Sequence, residues 1–212
     1  MSNIEKENID EIKVIVLGDS GVGKTNLINT SIGLEFIHNN NSTISCSSIS
    51  KQFIINDEKY NINIWDTAGQ EQYRGLTKLF FKGSEIVILV YDITNYSTFE
   101  SLNYWFQMCE DIISENHVCG IVGNKIDLLL NEKVCEEDGK KFAEAKNAKF
   151  TIVSAKNDSD KFVEFIKDLI IEYKKIPNIE RRDSIVLNQN VQNVEKKNKK
   201  KMKKEKKKCG CK

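Results

Sequence analysis

The stretch GDSGVGKT, residues Gly18–Thr25, decides how this chain folds. It fits the pattern G-x-x-x-x-G-K-[ST] at every position. The preceding EIKVIVL, Glu11–Leu17, predicts a buried strand, and Asn26–Asn29 begins a predicted short helix. Glycines between a strand and a helix N-terminus let backbone N–H groups turn inward around an anion. The stretch therefore predicts a phosphate-binding loop rather than a plain glycine turn, with Lys24 reaching the β- and γ-phosphates and the Thr25 hydroxyl available to Mg²⁺.

Strands alternate with helices through the rest of the chain. Strands are predicted at Ile49–Ile55, Tyr60–Trp65, Glu85–Tyr91, Cys119–Gly123 and Lys149–Val153, and helices at Tyr96–Ser114, Glu136–Lys146 and Ser159–Lys174. Asn56–Lys59 is predicted to be a four-residue hairpin loop, and Ile37–Ser48 a long functional loop. The alternation predicts an α/β fold, with a doubly wound sheet covered by helices on both faces.

Charge divides the chain into a body and a tail. Residues 196–212 hold 11 lysines and one glutamate, a net charge of +10, while the whole chain carries only +1. Residues 1–10 are predicted to be a flexible leader, residues 11–176 the folded domain, and residues 177–212 a disordered basic tail. The prediction is thus one domain with two extensions.

Several features bear on where the protein works. No apolar run reaches about 18 residues, so no transmembrane helix is predicted. The polar, acidic start excludes a signal peptide, and Ser2 stands where N-myristoylation requires glycine. The six cysteines show no pair spacing in the body, which predicts a reduced, cytosolic protein in which Cys109 and Cys119 are core residues.

The identity of the base is indicated by Asn124-Lys125-Ile126-Asp127, directly after a predicted strand. Ligands in such sheets bind at the carboxyl ends of strands. There the Asp127 carboxylate can accept hydrogen bonds from N1–H and the exocyclic amine of guanine, a donor pair that adenine lacks. Ser154-Ala155-Lys156 follows the next strand and can bring a backbone N–H to guanine O6. Together the two motifs predict a guanine nucleotide.

The stretch WDTAGQE, Trp65–Glu71, supplies the rest of the phosphate chemistry. Asp66 ends a predicted strand and can hold Mg²⁺ through water. The Gly69 N–H can approach the γ-phosphate because no Cβ blocks it. Gln70 can orient the attacking water, which makes it the candidate catalytic residue.

With these motifs the sequence resembles the Ras superfamily of small GTPases over about residues 11–175. The resemblance implies a P-loop NTPase G domain, with a six-stranded, mostly parallel sheet that has one antiparallel edge strand and helices on both faces. It implies Thr25, Thr43 and Asp66 as the residues around Mg²⁺, and a Phe36 that packs on guanine. The nucleotide-binding residues implied are Ser20, Gly21, Val22, Gly23, Lys24, Thr25, Asn26, Phe36, Thr43, Gly69, Asn124, Lys125, Asp127, Ser154, Ala155 and Lys156.

Within the superfamily the stretch from Trp65 to Trp105 looks like a Rab. The resemblance implies a monomeric, slow GTPase that cycles between GTP and GDP states in vesicle traffic. It also implies an exchange factor, a GTPase-activating protein, effectors and a prenyl-binding escort as partners. The chain departs from the Rab pattern at Ser45–Ser48, where Rabs usually carry Gly-Val-Asp-Phe, and at Gln72, usually arginine. We expect nucleotide binding to survive these changes and partner choice to be unusual.

The end of the tail, Cys209-Gly210-Cys211-Lys212, suggests a membrane anchor. Rab proteins typically end in a cysteine pair that carries two geranylgeranyl groups, although the four residues also formally fit a single-prenylation signal. Lipid chains combined with a lysine-rich patch would hold the protein on an anionic membrane. We therefore expect it in the cytosol and on the cytoplasmic face of an endomembrane. The alternative is a lysine tail that binds nucleic acid, and we favour the anchor.

Two other functions remain open from the sequence. A P-loop kinase acting on a small acceptor would share the Gly18–Thr25 loop, although Asn124–Asp127 and Asp66–Gln70 argue against it. A nucleotide-locked interaction module that scarcely hydrolyses GTP would explain the unusual Ser45–Ser48 segment, although Gln70 argues against that. His38 and His117 lie in predicted loops outside any motif, so neither is expected to be a catalyst.

Overall fold

Six strands form a single sheet in the computed structural model, which describes residues 10–38, 43, 46–67, 80–113 and 116–177. The strands are β1 (Asp10–Leu17), β2 (Ser47–Ile55), β3 (Glu58–Asp66), β4 (Ile86–Asp92), β5 (Val118–Asn124) and β6 (Lys149–Val153). The helices are α1 (Lys24–Ser31), α2 (Tyr96–Glu100), α3 (Leu102–Ile112), α4 (Glu136–Ala145) and α5 (Ser159–Lys174), with a 3₁₀ helix at Ile126–Asn131. Residues 1–9 and 178–212 lie outside the described residues, so the flexible leader and the disordered basic tail stay predictions.

The sheet has the order β2-β3-β1-β4-β5-β6. The edge strand β2 pairs with β3 in antiparallel fashion, and the four remaining pairings are parallel. Such a sheet must be covered on both faces, because parallel strands joined through helices carry apolar side chains on both sides. All seven residues of β4 are buried, as this arrangement requires. The predicted α/β fold with one antiparallel edge strand is confirmed.

Neighbouring residues of β5 show that helices lie on opposite faces. Ile121 belongs to a buried cluster with Trp105 of α3 and Ala143 of α4. A Cβ at Gly120 would meet Phe165 of α5 at 2.8 Å. Because consecutive strand residues point to opposite faces, α5 packs on one face and α3 and α4 on the other. No helix in the described part of the chain is long and apolar enough to cross a membrane.

The apolar stripe predicted for α5 is buried along its whole length. It comprises Phe162, Phe165, Ile166, Leu169 and Ile170, all at most 6 % exposed. Cys109 and Cys119 are core residues, as expected. Burial raises the pKa of the Cys119 thiol to about 12, so it stays protonated at neutral pH.

Three local predictions were wrong in detail. The β2–β3 connection has two residues instead of four, because Asn56 and Asp57 both adopt positive φ (50° and 64°), which suits the tight turn that matches strand twist. The predicted helix Tyr96–Ser114 is interrupted at Ser101, whose hydroxyl donates to the Ser97 carbonyl, and it ends before the extended Ile113. Asp10, assigned to the leader, is the first residue of β1 and pairs with Tyr60.

The carboxyl group of Glu85, the residue before β4, accepts a backbone hydrogen bond from β1. Glu85 Oε2 accepts a hydrogen bond from the Lys13 N–H at 2.6 Å, and the Glu85 N–H donates to the Lys13 carbonyl at 3.0 Å. The Lys13 ammonium donates to the Lys82 carbonyl at 2.7 Å and lies 4.9 Å from the centre of the Trp65 ring. Burial raises the pKa of Glu85 to about 7; the Lys13 cation opposes this shift and Glu11 adds to it.

We predict that Glu85→Gln makes stability less dependent on pH. Because the folded-state pKa lies above the ordinary value of 4.5, the contribution of the protonated carboxyl is fully present below about pH 4.5 and is lost as the pH rises through about 7. Between pH 5 and 8 the unfolding free energy of the unmodified chain should fall by on the order of 1 kcal/mol more than that of the variant. This value is smaller than the full pKa shift would give, because the Glu85 carboxyl is partly exposed to water. Denaturant unfolding across this range measures the difference. The exposed Glu144→Gln is the control, and parallel pH profiles for the unmodified chain and Glu85→Gln would contradict the prediction.

Candidate functional site

A cavity of about 370 Å³ opens at the carboxyl ends of the parallel strands. It is walled by the glycine loop after β1, the start of α1, and the loops that follow β5 and β6. Its lining residues are Ser20, Gly21, Gly23, Lys24, Thr25, Asn26, Phe36, Ile37, His38, Thr43, Asn124, Lys125, Asp127, Leu128, Ala155 and Lys156. Sequence positions as far apart as 20 and 156 therefore meet at one site, which contains most of the predicted nucleotide-binding residues.

Glycines permit the close approaches that shape the phosphate loop. Gly18 has a φ of 142°, and a Cβ there would lie 2.2 Å from the Val90 carbonyl oxygen. Gly23 has a φ of 99°, and a Cβ there would lie 2.4 Å from Asn124 Nδ2. Both positions combine a backbone conformation that favours glycine with a lack of space for any side chain. The loop can therefore fold against β4 and β5 only with these two glycines.

A buried cation lies inside this loop. Lys24 is 5 % exposed, and its ammonium donates to the Gly18 and Asp19 carbonyls, both at 2.9 Å. Burial lowers the pKa of Lys24 to about 8, while the carboxylates of Asp66 and Asp19 favour the charged form. An ammonium held in this way adds positive potential to the N-terminus of α1. The loop is built to attract an anion.

The loop is also fixed from helix α3. The Trp105 indole Nε1–H donates to Asp19 Oδ1 at 2.9 Å, and Trp105 is fully buried. Asp19 presents its backbone carbonyl to Lys24, so one residue joins the buried indole to the buried ammonium. No role for Trp105 was predicted, because nothing in the sequence pairs a helix tryptophan with a loop aspartate.

Three oxygen-bearing side chains converge beside the loop at the end of β3. The Thr25 hydroxyl donates to Asp66 Oδ2 at 2.7 Å and lies 2.9 Å from the Thr43 hydroxyl. Asp66 Oδ1 is buried and has no hydrogen-bond partner among the described residues. An oxygen-only set with an unpartnered carboxylate oxygen fits a hard cation such as Mg²⁺. The described residues include no cluster of three or more His, Cys, Asp or Glu side chains that could hold a different metal.

The side-chain amide of Asn124 connects three loops at the part of the cavity where the base is expected to bind. Asn124 Nδ2 donates to the Val22 carbonyl at 2.8 Å, and the Ala155 N–H donates to Asn124 Oδ1 at 3.1 Å. Asn124 is 1 % exposed and is the last residue of β5. Of the backbone N–H groups in the Ser154–Lys156 loop, which was predicted to bring one to guanine O6, that of Ala155 is thus directed at Asn124. The amide holds the phosphate loop against the loop after β6.

The Asp127 carboxylate, which is expected to recognise guanine, is held in place by a hydrogen bond from Ser154. The buried Ser154 hydroxyl donates to Asp127 Oδ1 at 2.7 Å and accepts from the N–H groups of Lys156 and Asn157. Lys125 adopts a positive φ of 73°, and its ammonium pairs with Asp92 Oδ2 at 2.6 Å. Asp127 and Lys125 are therefore both fixed by contacts that reach neighbouring strand ends.

The structure adds residues that the sequence analysis missed. Asp92 ends β4 beside Asn124 in the sheet register, and this strand-end position was the signal that could have identified it. Ile37, His38 and Leu128 line the cavity without belonging to a motif, and His38 packs edge-on against Phe36 with ring centres 5.1 Å apart. Val22, Ser154 and Asp66 support the cavity through the bonds given above. The predictions for Gly69, Gln70, Cys209 and Cys211 lie outside the described residues.

We predict that Trp105→Phe weakens binding of the guanine nucleotide that the sequence indicates. The change keeps an aromatic ring in the core but removes the N–H that holds Asp19, so affinity should fall about tenfold, as expected for one lost hydrogen bond to a carboxylate. Equilibrium titration with a fluorescent nucleotide measures this. Tyr104→Phe, on the same helix, is the matched control. An affinity within twofold of the unmodified chain for Trp105→Phe would contradict the role assigned to the bond.

Comparison with known proteins identifies the family. The model of the Ras family matches residues 13–175. Ras-related protein Rab-2B of Dictyostelium discoideum is 40 % identical over 144 residues, which cover 68 % of this chain and 71 % of the relative. Ras-related protein RABA1f of Arabidopsis thaliana is 41 % identical over 143 residues (68 % and 66 %), and Ras-related protein Rab-22A of Homo sapiens is 38 % identical over 171 residues (80 % and 86 %). The chain thus belongs to the Ras family and is a Rab-like small GTPase, an enzyme that hydrolyses GTP to GDP and phosphate.

Proposed function

We propose that this protein is a GTP-operated switch that regulates vesicle traffic from the cytoplasmic face of an endomembrane. The observation that carries the nucleotide half of this proposal is the Asp127 carboxylate, held by Ser154 in the same cavity as the buried Lys24. A fixed acceptor for the base and a fixed cation for the phosphates are the two requirements for selecting a guanine nucleotide over other phosphates.

Base selection follows from unequal hydrogen bonding. The Ser154 bond uses one side of the Asp127 carboxylate, and the remaining lone pairs can accept N1–H and the amine of guanine. Adenine presents no such donor pair, so its binding would leave the carboxylate poorly paired. Sites built around a specific polar contact reject ligands that lack it by roughly 10⁴–10⁵. We therefore assign the recognition of the base to Asp127.

The phosphate side assigns roles to the remaining residues. Lys24 binds the β- and γ-phosphate oxygens, and the Thr25, Thr43 and Asp66 oxygens would hold Mg²⁺, directly or through water. Mg²⁺ would neutralise charge that develops on the phosphates during their cleavage. The family resemblance assigns to Thr43 the contact that depends on the γ-phosphate, and of the three residues Thr43 alone lies outside a helix or strand. Loss of that phosphate would release its segment.

Hydrolysis would require a positioned water. We assign this role to Gln70, which follows β3 by four residues. We expect intrinsic turnover to be slow and an activating protein to supply an arginine, which raises such rates by roughly 10³–10⁵. An exchange factor, effectors and a prenyl-binding escort complete the set of partners proposed from the Rab resemblance, with the protein itself acting as a monomer.

The traffic role rests on that resemblance together with the tail. Eleven lysines in residues 196–212 precede and follow Cys209 and Cys211, the two proposed lipidation sites. One lipid chain alone gives marginal attachment, whereas two chains, or one chain with a basic patch, give stable attachment. A reversible escort and a stable anchor together would allow the GTP-bound form to remain on the membrane.

We predict that Asp127→Asn lowers GTP affinity at least about 100-fold and recovers binding of xanthosine triphosphate. The amide can accept N1–H and donate to the C2 carbonyl of xanthine, but it cannot accept both donors of guanine. Competition titrations against one fluorescent nucleotide measure both affinities. The exposed Asp168→Asn is the control. Unchanged preference for GTP in Asp127→Asn would show that Asp127 does not read the base.

We predict that changing both Cys209 and Cys211 to serine releases the tagged full-length protein from membranes into the cytosol. The polybasic patch alone, without a lipid chain, supplies only part of the attachment. Fractionation and imaging measure the distribution, and each single substitution separates double from single prenylation. The buried Cys109, which nothing assigns to lipidation, is left intact throughout. Membrane localisation that survives the double change would overturn the proposed anchor.

A further inference from the structure

The segment that follows α1 forms one wall of the cavity. Although α1 ends at Ser31, the first residues of this segment are still hydrogen-bonded to it. The Gly33 N–H donates to the Thr30 carbonyl, and the Leu34 N–H donates to the Asn29 carbonyl. Beyond Leu34 the chain leaves the helix and carries Phe36, Ile37 and His38 along the cavity. These residues have neither helical nor strand hydrogen bonding, so their position depends on specific side-chain contacts.

Asn26 makes such a contact. Its Nδ2 donates to the Ile37 carbonyl at 2.9 Å, and its Oδ1 accepts from the Ile37 N–H at 3.2 Å. The side-chain amide thus pairs with both polar groups of one residue, as a strand partner would. Asn26 is 8 % exposed whereas Ile37 is 47 % exposed, so without the amide the Ile37 N–H and carbonyl would bond to water and their segment would lose its fixed position. This two-bond pairing sets the position of Ile37.

Fixing Ile37 also fixes the residues on either side of it. Phe36 and His38 are its chain neighbours, they pack edge-on against each other, and both line the cavity. Asn26 follows Lys24 and Thr25 in the first turn of α1, where the phosphate loop anchors the helix. The pairing therefore connects the rigid phosphate side of the cavity to a wall that lacks regular secondary structure.

We propose that Asn26 is a positioning residue that holds the Phe36–His38 wall against bound guanine nucleotide and so slows nucleotide release. This rests on the proposed guanine nucleotide function and adds a determinant of residence time to it. The Asn26 amide donates to the Ile37 carbonyl through its nitrogen and accepts from the Ile37 N–H through its oxygen; alanine and leucine can do neither, so both abolish the pairing. Leucine keeps the branched shape and the number of heavy atoms of the asparagine side chain, which separates packing from hydrogen bonding.

The experiment measures dissociation of a fluorescent GDP analogue from the full-length chain in Mg²⁺ and excess unlabelled GDP. Asn26→Ala and Asn26→Leu should each release the analogue about tenfold faster, as expected for two lost neutral hydrogen bonds, with association rates changed less than twofold. The exposed Asn103→Leu on α3 is the matched control and should release at the unmodified rate. Release within twofold of the unmodified chain for both Asn26 variants would overturn the proposal.

A double-mutant cycle separates positioning from a general loss of structure. If Asn26 acts through the wall, then Asn26→Ala combined with Phe36→Ala should release nucleotide no faster than Phe36→Ala alone. Multiplying effects would mean that Asn26 acts independently of Phe36, and would overturn the proposal. An unmodified chain that fails to bind the analogue would instead defeat the proposed function, so the two failures are distinguishable.

Discussion

The buried ammonium of Lys24 is the constraint on which the site depends. A cation removed from water is stable only with close acceptors, and the Gly18 and Asp19 carbonyls provide them. That arrangement requires the loop to fold back over the lysine, which the glycines allow. It also requires Asp19 to be held in place, which Trp105 does from across the core. The same ammonium makes the cavity attractive to phosphate.

The parallel sheet converts distant sequence motifs into one cavity. Strands β1, β4, β5 and β6 lie side by side with their carboxyl ends together, so the residues that follow them become neighbours. Asn124 links two of these ends to the phosphate loop, and Asp92 links a third to Lys125. The proposed sites for the base and for the phosphates are therefore mechanically connected, since a shift of one loop would break bonds to the others.

Much of this could be predicted from the sequence, because buried strands and amphipathic helices have strong periodicity and the motifs have fixed spacing. The stripe on α5 and the strand β6 were predicted with the observed residues. Contacts between distant positions were not predictable: the Trp105–Asp19 bond and the Asn26–Ile37 pairing carry no local pattern. The hairpin at Asn56–Lys59 was predicted, but its two-residue loop was not, because positive φ at Asn56 and Asp57 depends on the strand register that forms around them. The role of Gln70 stays a prediction.

The most direct test of the account compares GTP with ATP on the purified full-length protein in Mg²⁺, by competition at equilibrium against a fluorescent guanine nucleotide. With Asp127 held by Ser154 beside the phosphate loop, GTP should bind tighter than ATP by roughly 10⁴ or more. Equal affinity for the two nucleotides would contradict the claim that this cavity selects guanine.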